Sequence, residues 1–163
     1  MASSTPQGLG DDLHILLSFL GVSAADCRML ALTAVAGFIP VANDCHVNVM
    51  IQCRLAGGHA RYGWLLWEND ARDRCQAMFH SVWQEAGEDF IDITPRADDE
   101  RLVMFVPDRQ REITFVDRRE GQTIYGYDNV CLTHGGTPTA LAQLKHVVAA
   151  GTSARYGLKG MGH

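Results

Sequence analysis

The chain has 163 residues, which suits a single domain, and 47% of them are hydrophobic, which excludes a disordered polymer. Its 14 Lys and Arg against 19 Asp and Glu leave a net charge of −5, and only Lys145 and Lys159 are lysines, so the phosphate backbone of a nucleic acid is a poor partner. No apolar run reaches the ~18 residues of a membrane span, and residues 1–12 lack the positive charge and apolar core of a secretory signal; a cytoplasmic protein that engages no membrane is expected.

Residues 1–10 read as a tail. Asp11 or Asp12 caps a helix to Leu20, with Leu13, Leu16, Leu17 and Leu20 on one stripe and Gly21 as its stop. Ser23-Ala-Ala-Asp26 has the spacing of a capping box and predicts a second helix to about Phe38, stopped by Pro40. Asn43 and Asp44 are good caps for a third helix over 45–55, terminated by Gly57-Gly58. Apolar residues go nearly all the way round it, from Val47 to Leu55, which predicts a buried central helix.

The pattern then changes to strands, over 61–67, 78–84, 89–94, 102–106 and 113–117, with another around 123–127. Thr137-Pro-Thr predicts a last helix that ends at Gly151, with Leu141, Leu144, Val147 and Val148 on one side. A loose glycine-rich tail follows over 151–163. Helices first and neighbouring strands afterwards predict one α+β domain over 11–150, its N-terminal helices and buried central helix packed on a mostly antiparallel sheet.

The five cysteines, Cys27, Cys45, Cys53, Cys75 and Cys131, are odd in number and include no CxxC pair, so neither a disulfide framework nor a structural zinc site is written here. Cys45 alone falls at a predicted helix start, where the helix dipole favours a thiolate, although Asp44 opposes it. A small, well-packed buried residue is the other reading of Cys45. Among the histidines, His46 adjoins Cys45, but neighbours on a helix point about 100° apart.

His80 stands in a different setting. It belongs to a hairpin in which Glu85-Ala-Gly87 serves as a three-residue loop. Gln84 then pairs with Glu88, and His80 with Asp92, with Cβ atoms about 4.5–5.5 Å apart. An Asp opposite a His orients the imidazole and stabilises its protonated form; a cross-strand ion pair on a wet face is the alternative. A nucleophile at a helix start, a base on one strand and its orienter on the next is the general arrangement for thiol acyl chemistry.

Cys45 opening its helix, the run Gly57-Gly-His-Ala-Arg61-Tyr62-Gly63-Trp64, then His80-Ser-Val-Trp83-Gln-Glu85 and Asp92-Ile-Thr94-Pro95 resemble the transglutaminase-like branch of the papain-like cysteine hydrolases. The resemblance covers residues 43–95, and departs from the family in placing His46 directly after the cysteine. It implies a papain-like fold and a Cys45–His80–Asp92 triad.

The expected function is a cysteine-dependent hydrolase or acyltransferase that acts on an amide-type bond of a peptide or small amide through a thioester. The Cys45 backbone N–H supplies one oxyanion donor, with Asn43 and Trp64 as candidates for the second. Trp64, Trp67 and Trp83 are candidates to line a cleft, for which a non-catalytic binding module on the same fold is the alternative use. Cys45, His80 and Asp92 are ligand types that suit zinc, but no HxxH or CxxC spacing accompanies them, so neither metal nor other cofactor is expected. Residues 85–120 hold eleven Asp and Glu against six Arg, the composition of a solvated acidic surface.

Overall fold

The computed structural model describes residues 3–161 except Glu88 and Glu120. In chain order the elements are β1 (Ser3–Ser4), α1 (Asp11–Leu20), a 3-10 turn (Ala24–Asp26), β2 (Arg28–Ala31), α2 (Cys45–Ala56), β3 (His59–Asn69), β4 (Arg74–Gln84), β5 (Phe90–Ile91), β6 (Leu102–Pro107), β7 (Thr114–Arg118), β8 (Gly121–Tyr127), β9 (Val130–Thr133), β10 (Gln143–Ala149) and α3 (Ala150–Tyr156). The α+β class expected from the sequence holds. The larger sheet has the order β2-β6-β3-β4-β5, with β1 added beside β3 and β9 beside β4, and the smaller has the order β10-β8-β7. Their strand pairs are antiparallel. Among the described residues no helix is long and apolar enough to cross a membrane.

The strand alternation of β3 and β4 gives the larger sheet two different faces. Trp64, Leu66, Ala77 and Phe79 point to one side, where the stripe Leu13, Leu16, Leu17 and Leu20 of α1 seals them. Leu65, Trp67 and Val82 point to the other, with Leu30, Val103 and Phe105. As the apolar residues distributed round 45–55 predict, α2 is a buried helix. Val49 meets Trp83 and Ile93 from the larger sheet and the chain beyond it, while Val47, Met50 and Ile51 meet Phe115, Ile124, Val148 and Leu158. Because Ile51 is 4% exposed, Ile51→Ala should cost about 2–5 kcal/mol, read as a lower urea midpoint at unchanged slope. Cys45→Ser, nearly isosteric, should leave the midpoint almost where it was.

Four expectations about the ends of the chain and the second and last helices are corrected. No helix forms over 27–38: a single 3-10 turn follows Ser23, whose side chain makes no capping bond, and β2 pairs with β6, Leu30 opposite Val103. Leu30 is buried while Met29 is 41% exposed, the alternation of a half-buried strand. Residues 1–10 are not simply a tail, since Ser3 and Ser4 pair with Asn69 and Glu68, and the Met104 N–H donates to the buried Thr5 Oγ1. The second half of the predicted last helix is strand β10, paired with β8, and α3 begins where that helix was to end. Its supposed apolar stripe leaves Leu144 and Val147 half exposed or more. Within the expected loose tail, Leu158 is fully buried.

The hairpin register is corrected as well. Trp83 pairs with Ile91 and Gln84 with Phe90, two residues later than a three-residue loop gives. Glu88, the expected partner of Gln84, lies outside the described residues. Asp92 falls just beyond β5 and forms an isolated parallel bridge with Leu32. Strand side chains alternate with a period of two, so a slip of two keeps the same residues on the same face. His80 and Asp92 therefore still meet.

Candidate active site

The outer edge of β4 is paired by β9 at 74–77 and by β5 at 83–84. Between them, this edge of 78–82 has no strand partner among the described residues, and α2 packs against β4 there, His46 bonding Ser81. Cys45, the first residue of α2, thus comes to the edge of the strand that carries His80. Asp44 is the N-cap residue but makes no side-chain cap; its carboxylate lies 3.4 Å from His146 Nε2.

The Cys45 thiol is within hydrogen-bonding reach of two imidazoles, His80 and His46. His80 Nε2 lies 2.9 Å from Asp92 Oδ1, which leaves Nδ1 as the ring nitrogen for the thiol. His80 is 3% exposed and Asp92 0%. Asp92 is held in turn: Arg96 Nη2 donates to Oδ2 at 2.5 Å and the Thr94 N–H donates to Oδ1 at 3.4 Å. The sequence-predicted Cys45, His80 and Asp92 are brought together as a chain of contacts that ends on Arg96.

Burial raises the Cys45 thiol, but the charges of His46 and His80 and their hydrogen bonds overcome it and hold the thiol well below its usual value. Burial lowers His80, yet the Cys45 thiolate and the Asp92 carboxylate push it up to about 9. Burial raises Asp92 too; the hydrogen bond and charge of His80, and then Arg96, bring it below its usual value. The arrangement favours a thiolate–imidazolium pair at neutral pH. Burial pushes Cys27, Cys53 and Cys75 the other way, each to about 11.

Two polar groups lock α2 to the rest of the site. Asn48, buried in the helix, accepts from the Val41 N–H at 3.0 Å and donates to the Val41 carbonyl at 2.8 Å and to Thr94 Oγ1 at 3.1 Å. The Asn43 N–H donates to the Pro95 carbonyl at 3.0 Å. On the other side of Cys45, His46 Nδ1 bonds Ser81 Oγ, and its ring packs near Tyr62 and Phe79. Asn48, Arg96 and the His46–Ser81 pair were not foreseen. Two signals were present: an Asn set among Val47, Val49, Met50 and Ile51, and a cation four residues after Asp92, just past Thr94-Pro95.

Cys45 and His80 open into a cavity of about 320 Å³. Asn43 lines it, and so do Thr94 and Arg96. The tryptophan expectations are corrected. Trp64 lies on the opposite face of the sheet, fully buried against α1, and its Nε1–H donates to Asp108 Oδ2 at 2.9 Å. It is no oxyanion donor. Trp83 packs against Val49 and Ile93, and its Nε1–H donates to the Gly57 carbonyl at 2.8 Å. Trp67 is the one that lines the cavity, and its buried Nε1 has no hydrogen-bond partner among the described residues.

No family model, no curated protein and no solved structure matches the chain.

Proposed function

We propose that the protein is a cysteine-dependent enzyme that cleaves an amide-type bond through a thioester on Cys45 and passes the acyl group to water or an amine. The observation that carries this reading is the chain Cys45–His80–Asp92–Arg96, which begins at a helix start and opens at its thiol end into a cleft. The papain-like resemblance of residues 43–95 supports it, because the residues it nominated are the ones in contact.

In the first step the Cys45 sulfur attacks the carbonyl carbon and the C=O electron pair moves to oxygen. The Cys45 N–H, in the first turn of α2 where no helical carbonyl is available to it, is a donor to that oxygen. His80 gives its proton to the departing amine as the C–N bond breaks. In the second step neutral His80 takes a proton from the incoming water or amine, the tetrahedral centre collapses, and the thiolate is restored. Asp92 keeps Nδ1 of His80 turned to the thiol throughout.

The ion pair sets the pH dependence. Cys45 alkylation by iodoacetamide needs only the thiolate, so it should stay fast at pH 6–7, where an ordinary thiol with a pKa of about 8.5 is mostly protonated. Limiting reagent followed by peptide mapping should place the label on Cys45. Amide cleavage also needs the His80 proton, so with small peptide amides it should fall as pH rises through about 9, while alkylation does not. Labelling that avoids Cys45 would defeat the enzyme reading. Fast labelling of Cys45 without turnover of any amide, ester or thioester would favour a binding module.

A further inference from the structure

Within this reading, the cavity has an order that points to a substrate. β3 and β4 face it in successive rungs: Gly63 opposite His80, Leu65 opposite Met78, Trp67 opposite Gln76. Each rung lies about 6.7 Å from the next, two residues along a strand. The catalytic rung comes first, an apolar rung second, and third a rung with the Gln76 amide and the unpartnered, buried Trp67 indole N–H. Trp67 is 8% exposed. A buried donor without a partner is costly to keep, which is the mark of a site completed by something else. At the rim stands Asp98, whose carboxylate also accepts from the Glu100 N–H. Arg96 does not offset it, because its charge is already engaged by Asp92.

We infer that the substrate carries an extended apolar chain that lies across Leu65 and Met78 and ends in an uncharged hydrogen-bond acceptor at Trp67 Nε1. A chain that ends in a carboxylate is disfavoured by Asp98. This assignment rests on Cys45 being the nucleophile, and its test separates the two ideas.

The probe is a set of N-substituted iodoacetamides, in which the thiolate displaces iodide from the CH2 and forms the C–S bond. The substituents are ethyl, hexyl, hexyl with a terminal carboxamide, and hexyl with a terminal carboxylate. Rates are normalised to those of a free thiol, and plain iodoacetamide reports the thiolate itself. Hexyl should outpace ethyl by about 10–100-fold, from burial of its added methylenes. The carboxamide should gain about fivefold more from one hydrogen bond, and the carboxylate should fall below it. Trp67→Phe, which keeps the ring and removes the donor, should erase the advantage of the carboxamide over plain hexyl. Met78→Gln should shrink the hexyl-to-ethyl ratio. Equal rates across chain lengths, hexyl ahead of the carboxamide, or a carboxylate as fast as the carboxamide would overturn the inference while Cys45 still reacts with plain iodoacetamide. Failure of plain iodoacetamide at Cys45 would remove the nucleophile and this inference together.

Discussion

Asp92→Asn should slow Cys45 alkylation at neutral pH by about 10–10³-fold, by analogy with triad enzymes in which the same change presents the wrong tautomer. The Asn amide can donate to His80 Nε2, which turns the ring's remaining N–H toward the thiol and leaves no acceptor there. The position of Asp92 adds a second effect. Its carboxylate is fully buried between His80 and Arg96. Removing that charge leaves the Arg96 guanidinium buried without its anion, and such losses cost about 3–5 kcal/mol. The two effects are measured apart: urea melts give the stability, and the alkylation rate against pH is read at urea-free conditions on protein with native near-UV circular dichroism. Arg96→Met is the control, since it loosens Asp92 but leaves it facing His80. Superimposable pH profiles in wild type and Asp92→Asn would mean that Asp92 serves only as the partner of Arg96.

Gly63→Ala should be among the most damaging single-methyl additions in the molecule. Gly63 pairs with His80 on one side and with Pro107 on the other. A Cβ there would collide with the Val106 carbonyl oxygen and the Phe105 ring. The obstacle is the backbone of a neighbouring strand in mid-sheet, so relief requires β6 to move. Overpacking typically costs about 1–3 kcal/mol, and this site belongs at the upper end or above it, a fall in Tm of roughly 6–12 °C. The side chain points to the face that carries His80, so the surviving folded protein should also alkylate more slowly. A Tm within a degree of wild type would show that β3 and β6 are less tightly joined than their register implies.

What could be read in the sequence divides by distance along the chain. Helix α2 was legible because its cap region, apolar run and Gly-Gly stop are contiguous. β3 and β4 were legible from alternation, and His80 and Asp92 from a hairpin whose register error of two residues preserved the face. β2 was not, because its partner β6 lies more than seventy residues away, and nothing in Arg28-Met-Leu-Ala31 itself opposes a helix. β10 failed for the same reason: its pairing with β8 overrides a sequence acceptable to either state. The tryptophans show a smaller, avoidable miss. Once Gly63 stands opposite His80, parity places Leu65 and Trp67 on the catalytic face and Trp64 on the other. Arg96 sits in a loop and Asn48 reaches out of its helix to loop residues Val41 and Thr94, where spacing carries no period to follow.

The open stretch of β4 over 78–82 has a bearing on how the protein ages in solution. A bare strand edge is a template on which another chain can add itself, and here the cover over that edge is the first turn of α2. Helix ends are the first parts of a helix to fray. Each opening that withdraws Cys45 from His80 therefore also uncovers unpaired backbone beside Phe79 and Val82. Loss of the reactive thiolate and the onset of self-association should then share one rate, and whatever clamps the start of α2, from the Asn48 bonds to a ligand seated in the cleft, should extend shelf life and reactivity by the same factor.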